Sequence, residues 1–131
     1  MLRGAERVVA VVDYDPAVLD SLQDLLESRG YSVRSFLSAE EFLEGNVLPL
    51  IGCLISDIEL PGMDGWSLET LVLNRRAQMP IIFVTAHGEI DELRKKQCFN
   101  DVPRVIFKKP FDGGQLLKAV DTVFLGTNGP G

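Results

Sequence analysis

The sequence has little of what a zinc-binding, secreted or membrane-spanning protein would show. It contains two cysteines, one histidine and one tryptophan among 131 residues. Cys53 and Cys98 stand too far apart for a paired zinc motif, and we interpret them as thiols of a reducing compartment. No apolar run approaches the roughly 18 residues of a membrane span, and the first residues lack the apolar core of a secretion signal. We therefore expect a cytoplasmic protein with no membrane partner.

Basic residues are also scarce. Lys and Arg number 13 against 19 Asp and Glu, which gives a net charge of −6. Because nucleic-acid-binding domains usually present a basic face, this balance argues against a dominant nucleic-acid surface. We expect no direct contact between this domain and nucleic acid.

What the chain does have is enough apolar side chain for one core. It is 46% hydrophobic and 24% charged, and its length is that of one domain. We place the domain at residues 1–125. Residues 126–131, which end in Gly-Pro-Gly, are expected to be a flexible tail or the start of a linker.

Short β-branched runs alternate with longer segments whose apolar residues recur at helical spacing. Each of five expected strands is followed by a helix, and the fourth helix is expected at 89–99. Strands that are apolar throughout are buried on both faces, which indicates a parallel sheet between two helical layers, an α/β fold. The expected strands are 7–12, 31–36, 50–56, 81–85 and 104–107.

Helix starts carry recognisable capping residues. An Asp, Asn, Ser or Thr side chain at such a position accepts a hydrogen bond from a free backbone N–H of the first turn. Asp15 is followed by Pro16, which suits the first helical position, and Ser38 and Glu41 have capping-box spacing. Asp64 and Asp112 are expected to cap the third and last helices.

Chemically useful side chains follow four of the strands. Asp13 follows the first, Asp57 ends the third, Thr85 ends the fourth and Lys109 follows the fifth. In open parallel sheets the functional site lies at the carboxyl ends of the strands, so these groups should share one edge. Two carboxylates can hold Mg²⁺, one carboxylate can attack phosphorus, and a lysine can neutralise the developing charge.

The ordered motifs resemble the receiver domain of two-component response regulators, the CheY-like superfamily, and most closely its FixJ/NarL type. Asp13 after the first strand, SDIELPGMDG around Asp57, TA at 85–86 and KPF at 109–111 carry the resemblance, which covers roughly residues 7–125. It implies a flavodoxin-like (βα)5 fold, a doubly wound five-stranded parallel sheet with helices on both faces.

The resemblance also implies roles for individual residues. Asp57 would accept the phosphoryl group, Lys109 would pair with it, and Thr85 would be the switch hydroxyl. Asp13, Asp57 and the backbone carbonyl of Glu59 would hold Mg²⁺. The peptide bond before Pro110 would be cis, as X–Pro bonds can be.

Two positions depart from the family pattern. Tyr14 stands where the family has a second acid that binds the metal directly, so weak Mg²⁺ binding is expected. Asp15 could take over as a ligand, but its place before Pro16 favours helix capping. The aromatic switch position, three before Lys109, holds Ile106. The segment from Thr85 to Lys109 is also about two residues longer than the family pattern.

The resemblance implies a phosphodonor and an oligomer. The donor would be a histidine kinase or a phosphotransfer protein. A homodimer could form through the face of the fourth helix, fifth strand and fifth helix. The domain would accept the phosphoryl group on its own Asp57 and would not be a turnover enzyme.

Two other functions remain open at this point. The first is a degenerate pseudo-receiver that is never phosphorylated and acts as a protein-binding module, with Tyr14 occupying the metal pocket. The second is a phosphatase of the haloacid dehalogenase type, with Asp13 as nucleophile in the sequence DYDPAV. The later acidic motif of such a phosphatase is missing after residue 112.

Overall fold

The computed structural model describes residues 7–86, 98–99, 102–103 and 105–128. Strands and helices alternate along it, and we number them in chain order. The strands are β1 (Val8–Val12), β2 (Ser32–Phe36), β3 (Cys53–Asp57), β4 (Ile81–Thr85), β5 (Cys98–Phe99), β6 (Val102–Pro103) and β7 (Val105–Lys108). The helices are α1 (Pro16–Ser28), α2 (Ala39–Glu44), a short 3-10 helix (Leu48–Leu50), α3 (Gly65–Arg75) and α4 (Gly113–Asn128).

Five of these strands form one parallel sheet in the order β2-β1-β3-β4-β7. The order reverses between β1 and β3, so the chain is wound in both directions from the middle of the sheet. The expected five-stranded, doubly wound parallel α/β fold is therefore confirmed.

The two faces of the sheet carry separate apolar clusters. Along β1, Val9 and Val11 face one side, where they join side chains of α1 and α4. Ala10 and Val12 face the other side and join α2 and α3. Because each fully buried Val or Leu side chain contributes about 1.5–3 kcal/mol, these two layers hold the sheet between the helices.

All four expected caps are present. Each of the four α-helices begins where a side-chain oxygen accepts a backbone N–H from the first turn. The pairs are Asp15 with Ala17 (2.9 Å), Ser38 with Glu41 (3.1 Å), Asp64 with Ser67 (2.9 Å) and Asp112 with Gln115 (3.1 Å).

Some element boundaries differ from expectation. The third strand begins at Cys53 rather than residue 50, because the chain around Pro49 forms the 3-10 helix. The last helix continues to Asn128, past the expected domain end at residue 125. Within the described part of the chain, no helix is both long and apolar enough to cross a membrane.

The prediction of a fourth helix at 89–99 is wrong at the C-terminal end. Residues 98 and 99 form β5, which pairs antiparallel with β6 (Cys98 opposite Pro103, Phe99 opposite Val102). Asn100 and Asp101, residue types that favour turns, separate the two strands in the sequence. The rest of that expected helix lies outside the described residues.

Candidate functional site

Two hydrogen bonds fix the position of Asp13 just after β1. Its backbone N–H donates to the carbonyl of Phe36 at 3.1 Å, which continues the pairing of β1 with β2. Its carboxylate Oδ1 accepts the backbone N–H of Asp15 at 2.9 Å. The turn between them leaves Tyr14 at the rim with 64% of its surface exposed.

Asp15 is a helix cap. Its Oδ1 accepts the N–H of Ala17 at 2.9 Å, and Pro16 takes the first helical position. A carboxylate at the helix N-terminus also interacts favourably with the helix dipole. The capping interpretation of Asp15 is therefore confirmed.

Asp57 ends β3 at the same edge of the sheet as Asp13. Its Oδ1 accepts the backbone N–H of Glu59 at 3.2 Å, so its carboxylate is tied to the loop that follows. Gly65 packs against its backbone, where an added Cβ would lie 2.5 Å from the Asp57 carbonyl oxygen. Only glycine fits at residue 65 without moving the end of β3.

Lys109 joins the two carboxylates. Its ammonium Nζ lies 2.8 Å from Asp13 Oδ2 and 3.1 Å from Asp57 Oδ2. Its backbone N–H donates to the Thr85 carbonyl at 2.8 Å, and the peptide bond to Pro110 is cis, as expected. We call Asp13, Asp57 and Lys109 the carboxyl-edge cluster.

The electrostatics of this cluster are unbalanced. Burial raises the pKa of the Asp57 carboxyl above its ordinary value, and the opposing effect of Lys109 does not cancel it. The pKa of Lys109 is also raised, because its hydrogen bonds to Asp13 and Asp57 outweigh the burial that alone would lower it. Lys109 therefore stays charged at neutral pH while one ammonium serves two carboxylates.

Thr85 and Ile106 lie on β4 and β7, which are neighbouring strands of the sheet. Thr85 is fully buried at the end of β4, opposite Lys108 of β7. Ile106 is buried against Ile58 and Phe83. The position of the expected aromatic switch therefore holds an aliphatic side chain packed in the core, while its neighbour Phe107 is partly buried on the opposite face.

The donor set for a cation is small. Among the described residues, no group of three or more His, Cys, Asp or Glu side chains is arranged to hold a metal ion. The cluster offers two carboxylates, and each of their four oxygens accepts one hydrogen bond. Carboxylate oxygens have further lone pairs, so the pair fits a hard cation that keeps several waters, at reduced negative charge.

One contact near the site was not expected from the sequence. Glu40 of α2 accepts the backbone N–H of Met63 at 2.9 Å. The capping pattern drew attention to Glu41 instead, whose Oε1 accepts the N–H of Leu37 at 3.2 Å. The one local signal for the Glu40 contact is the glycine at residue 62, because glycine permits close approach of another segment.

Fold and site together define a doubly wound parallel α/β domain whose strand ends carry a carboxylate–lysine cluster. Comparison with known proteins agrees. The model of the response regulator receiver domain family matches residues 9–121. The chain therefore belongs to the response regulator receiver domain family and is a receiver of two-component signal transduction.

Individual relatives show the same relationship. The chain is 37% identical over 121 residues to the response regulator protein TmoT of Ectopseudomonas mendocina, covering 92% of this chain and 54% of TmoT. It is 31% identical to the transcriptional regulatory protein FixJ of Bradyrhizobium diazoefficiens, covering 87% of this chain and 55% of FixJ. The chain thus spans about half the length of these curated relatives.

Solved structures match as well. A crystal structure of a putative response regulator from Chloroflexus aurantiacus is 31% identical, with a TM-score of 0.77, and covers 89% of this chain and 96% of that chain. A structure of the response regulator StyR is 34% identical, with a TM-score of 0.78, and covers 88% of this chain and 58% of that chain.

Proposed function

We propose that Asp57 is the residue of this receiver that accepts the phosphoryl group. The observation that carries the proposal is the carboxyl-edge cluster, in which Lys109 Nζ lies 3.1 Å from Asp57 Oδ2. A carboxylate oxygen of Asp57 attacks the phosphorus of a phosphohistidine. The O–P bond forms as the P–N bond breaks, and the imidazole leaves with the bonding pair and takes up a proton.

Lys109 stabilises the negative charge that builds on the transferred oxygens. Phosphoryl transfer depends mainly on alignment and charge neutralisation, which a fixed ammonium supplies. Because Lys109 also contacts Asp13 at 2.8 Å, it is held in place before the donor arrives. We assign it this role in the reaction.

Thr85 is proposed as the switch hydroxyl that binds the new phosphoryl group. Its backbone carbonyl accepts the N–H of Lys109, so the two residues are coupled through the main chain. Its side chain is fully buried before phosphorylation. We propose that binding of the phosphoryl oxygens by this hydroxyl rearranges the end of β4, which would shift an output surface between two states.

Mg²⁺ is proposed as the cofactor, held by Asp13, Asp57 and the backbone carbonyl of Glu59. When bound, it would neutralise the phosphoryl oxygens and align the donor. A receiver whose second acid is present would offer one more carboxylate than this chain, where Tyr14 has none. We therefore expect binding that is weaker than in a pocket with both acids.

The pseudo-receiver interpretation gains no support. A phenol that filled the metal pocket would be largely buried, whereas Tyr14 is 64% exposed. The phosphatase interpretation needs Asp13 as nucleophile, but the side chain of Asp13 is 3% exposed against 11% for Asp57. The first observation counts against the pseudo-receiver, and the second favours Asp57 over Asp13 as the acceptor. We therefore propose that Asp57 accepts a single phosphoryl group without turnover of a substrate.

Partners and context are part of the proposal. We propose a histidine kinase or phosphotransfer protein as donor, a cytoplasmic location, and no direct nucleic-acid contact by this domain at its net charge of −6. A homodimer is proposed on the face that includes the edge strand β7, where Val105 is exposed. Because the relatives are about twice as long and FixJ is a transcriptional regulatory protein, we propose that residues 1–125 regulate an output domain.

A phosphorylation assay tests the assignment of Asp57. Wild type, Asp57→Asn and Asp20→Asn proteins are incubated with acetyl phosphate and Mg²⁺, and their intact masses are measured. Asp20 is exposed on α1 and serves as the matched control. Wild type and Asp20→Asn should gain one phosphoryl group and Asp57→Asn none; equal labelling of Asp57→Asn would refute the assignment.

A further inference from the structure

The loop between β3 and α3, residues 58–64, carries Glu59 and is closed at its base. The N–H of Gly65 donates to the Ile58 carbonyl at 2.8 Å, and Asp64 caps α3 through Ser67. The Glu59 N–H donates to Asp57 Oδ1 at 3.2 Å. A shift of this loop would therefore reach the Asp57 carboxylate directly.

A side chain from another element holds the far end of the loop. Glu40 Oε2 accepts the N–H of Met63 at 2.9 Å, across 23 residues of sequence. A hydrogen bond to an ionised carboxylate is charge-assisted and stronger than one between neutral groups. Met63 in turn packs against the apolar cluster on the α2 and α3 face.

Gly62 makes this contact possible. Its φ is +75°, a conformation that suits glycine, and an added Cβ would lie 2.7 Å from Glu40 Oε2. A side chain at residue 62 would therefore displace the Glu40 carboxylate from its present position and would strain the turn.

The helix that carries Glu40 is itself fixed. Ala39 and Phe42 of α2 are buried on the sheet, and the ring of Phe42 meets that of Phe36 edge-on at 5.5 Å. Ser38 caps the helix through the N–H of Glu41. Glu40 thus connects a firmly packed helix to the loop beside the site.

We propose that Glu40 is a positioning residue of the receiver: by holding Met63 it fixes the 58–64 loop and with it the Glu59 backbone beside Asp57. The part that concerns Mg²⁺ rests on the proposed function, in which the Glu59 carbonyl is a ligand. The effect of Glu40 on the loop itself does not depend on a metal. Residues that orient a metal ligand are expected to affect metal affinity without touching the metal.

Four single variants and one double variant test this. Glu40→Ala removes the acceptor, Glu40→Gln keeps an acceptor oxygen but removes the charge, and Glu44→Ala removes an exposed acid from the same helix as control. Gly62→Ala breaks the same contact from the other side. The double variant Glu40→Ala/Gly62→Ala completes a mutant cycle.

The first measurement is metal-free amide hydrogen exchange by NMR. Glu40→Ala and Gly62→Ala should each speed exchange at Met63 and shift the Glu59 amide resonance. Because alanine at φ +75° also strains the turn, the cycle compares Glu40→Ala with and without Gly62→Ala, and the effect of Glu40→Ala should be smaller in the Gly62→Ala protein. Glu40→Gln and Glu44→Ala should resemble wild type. An unchanged Glu59 resonance in folded Glu40→Ala protein would overturn the proposal, whether or not the protein binds Mg²⁺.

The second measurement is Mg²⁺ affinity, followed by the fluorescence of Trp66, the one tryptophan, which is the second residue of α3. Glu40→Ala should weaken Mg²⁺ binding by about tenfold, as outer contacts of metal sites do, and Glu40→Gln should restore it to within about twofold. An affinity of Glu40→Ala equal to wild type contradicts the proposal. Failure of wild type to bind Mg²⁺ would instead refute the metal assignment, leaving the exchange result to decide the role of Glu40.

Discussion

The two ends of the sheet both gather charged side chains, but they treat the charges differently. At the carboxyl end, two buried carboxylates share one ammonium in the carboxyl-edge cluster of Asp13, Asp57 and Lys109. That cluster keeps a surplus negative charge, and burial raises the pKa of Asp57. A surplus of this kind costs stability, and it suits the uptake of a cation and a phosphoryl group that we propose for this site.

At the amino end the acid has more than enough partners. Asp121 of α4 accepts hydrogen bonds from Arg29 and from the hydroxyl of Tyr31. The guanidinium of Arg7 lies 4.4 Å from the centre of the Tyr31 ring, and Phe124 packs on that ring at 5.2 Å. We call these five residues the amino-edge cluster. The paired acid there joins the last helix to Arg29 and Tyr31, whereas two acids share one ammonium at the other end, where we propose the reactive site.

The largest expected difference is in phosphorylation rate. Lys109→Met removes the ammonium that we propose neutralises the transferred oxygens, so the rate of phosphorylation by acetyl phosphate should fall on the order of 100-fold or more. The same substitution at the amino edge, Arg29→Met, should leave the rate within about twofold. Equal rates for the two variants would mean that the two ends do not differ as described.

Adding an acid to the carboxyl edge should increase the difference between the two ends of the sheet. Tyr14→Asp supplies a third carboxylate, so Mg²⁺ affinity should rise on the order of tenfold and phosphorylation should become faster. Tyr14→Asn, which is of similar size but neutral, is the control and should gain nothing. Calorimetric titration with Mg²⁺ measures the affinity of both variants. An unchanged affinity of Tyr14→Asp would show that residue 14 does not face the metal.

Removing one charge by Asp→Asn should have opposite effects at the two ends. Asp57→Asn removes the surplus negative charge of the carboxyl-edge cluster. Because a raised carboxyl pKa means that ionised Asp57 is less favourable in the folded than in the unfolded state, the free energy of unfolding should stay level or rise. Asp121→Asn weakens a matched group that is partly exposed, so the free energy of unfolding should drop by only about 1 kcal/mol. Urea denaturation at pH 7 distinguishes these signs, and a loss of stability in Asp57→Asn would contradict the charge surplus.

The smallest expected effect is the loss of the stability that Tyr31 of the amino-edge cluster contributes as the pH becomes alkaline. Burial and the Asp121 hydrogen bond raise the pKa of Tyr31 above 10.0, so the unfolded state loses that proton first. The stability due to Tyr31 is therefore complete below its unfolded pKa and is lost as pH rises through the folded one.

The raised pKa values of Lys109 and of Cys53, the latter about 12, act in the same direction. The comparison must therefore be between wild type and Tyr31→Phe. The variant should lose a few tenths of a kcal/mol less stability than wild type between neutral and strongly alkaline pH. Parallel pH profiles for the two proteins would argue against a protonated Tyr31 in this cluster.

Local patterns predicted most of the fold and the components of the site. The strands and caps depend on neighbouring residues, and strand ends of a parallel sheet meet at one edge whatever the details of packing. Asp13, Asp57 and Lys109 were brought together for that reason. The capping role of Asp15 was readable from the Asp-Pro pair alone.

Contacts set by packing between distant elements were not predictable. The bond from Glu40 to Met63 and the pairing of Asp121 with Tyr31 join segments far apart in sequence. Nothing local distinguishes Glu40 from the other acids of α2. The sequence predicts the end of a helix where the structure has the short hairpin of β5 and β6, because the apolar spacing of so short a segment does not distinguish a helix from a strand.

The most direct test of the central claim is to locate the phosphoryl group. Wild-type protein is phosphorylated with acetyl phosphate and Mg²⁺, the acyl phosphate is reduced with borohydride to mark the modified side chain, and peptides are analysed by mass spectrometry. We predict the mark at Asp57 and at no other acid. A mark at Asp13, or phosphorylation that leaves Asp57 unmodified, would contradict the account of the carboxyl-edge cluster.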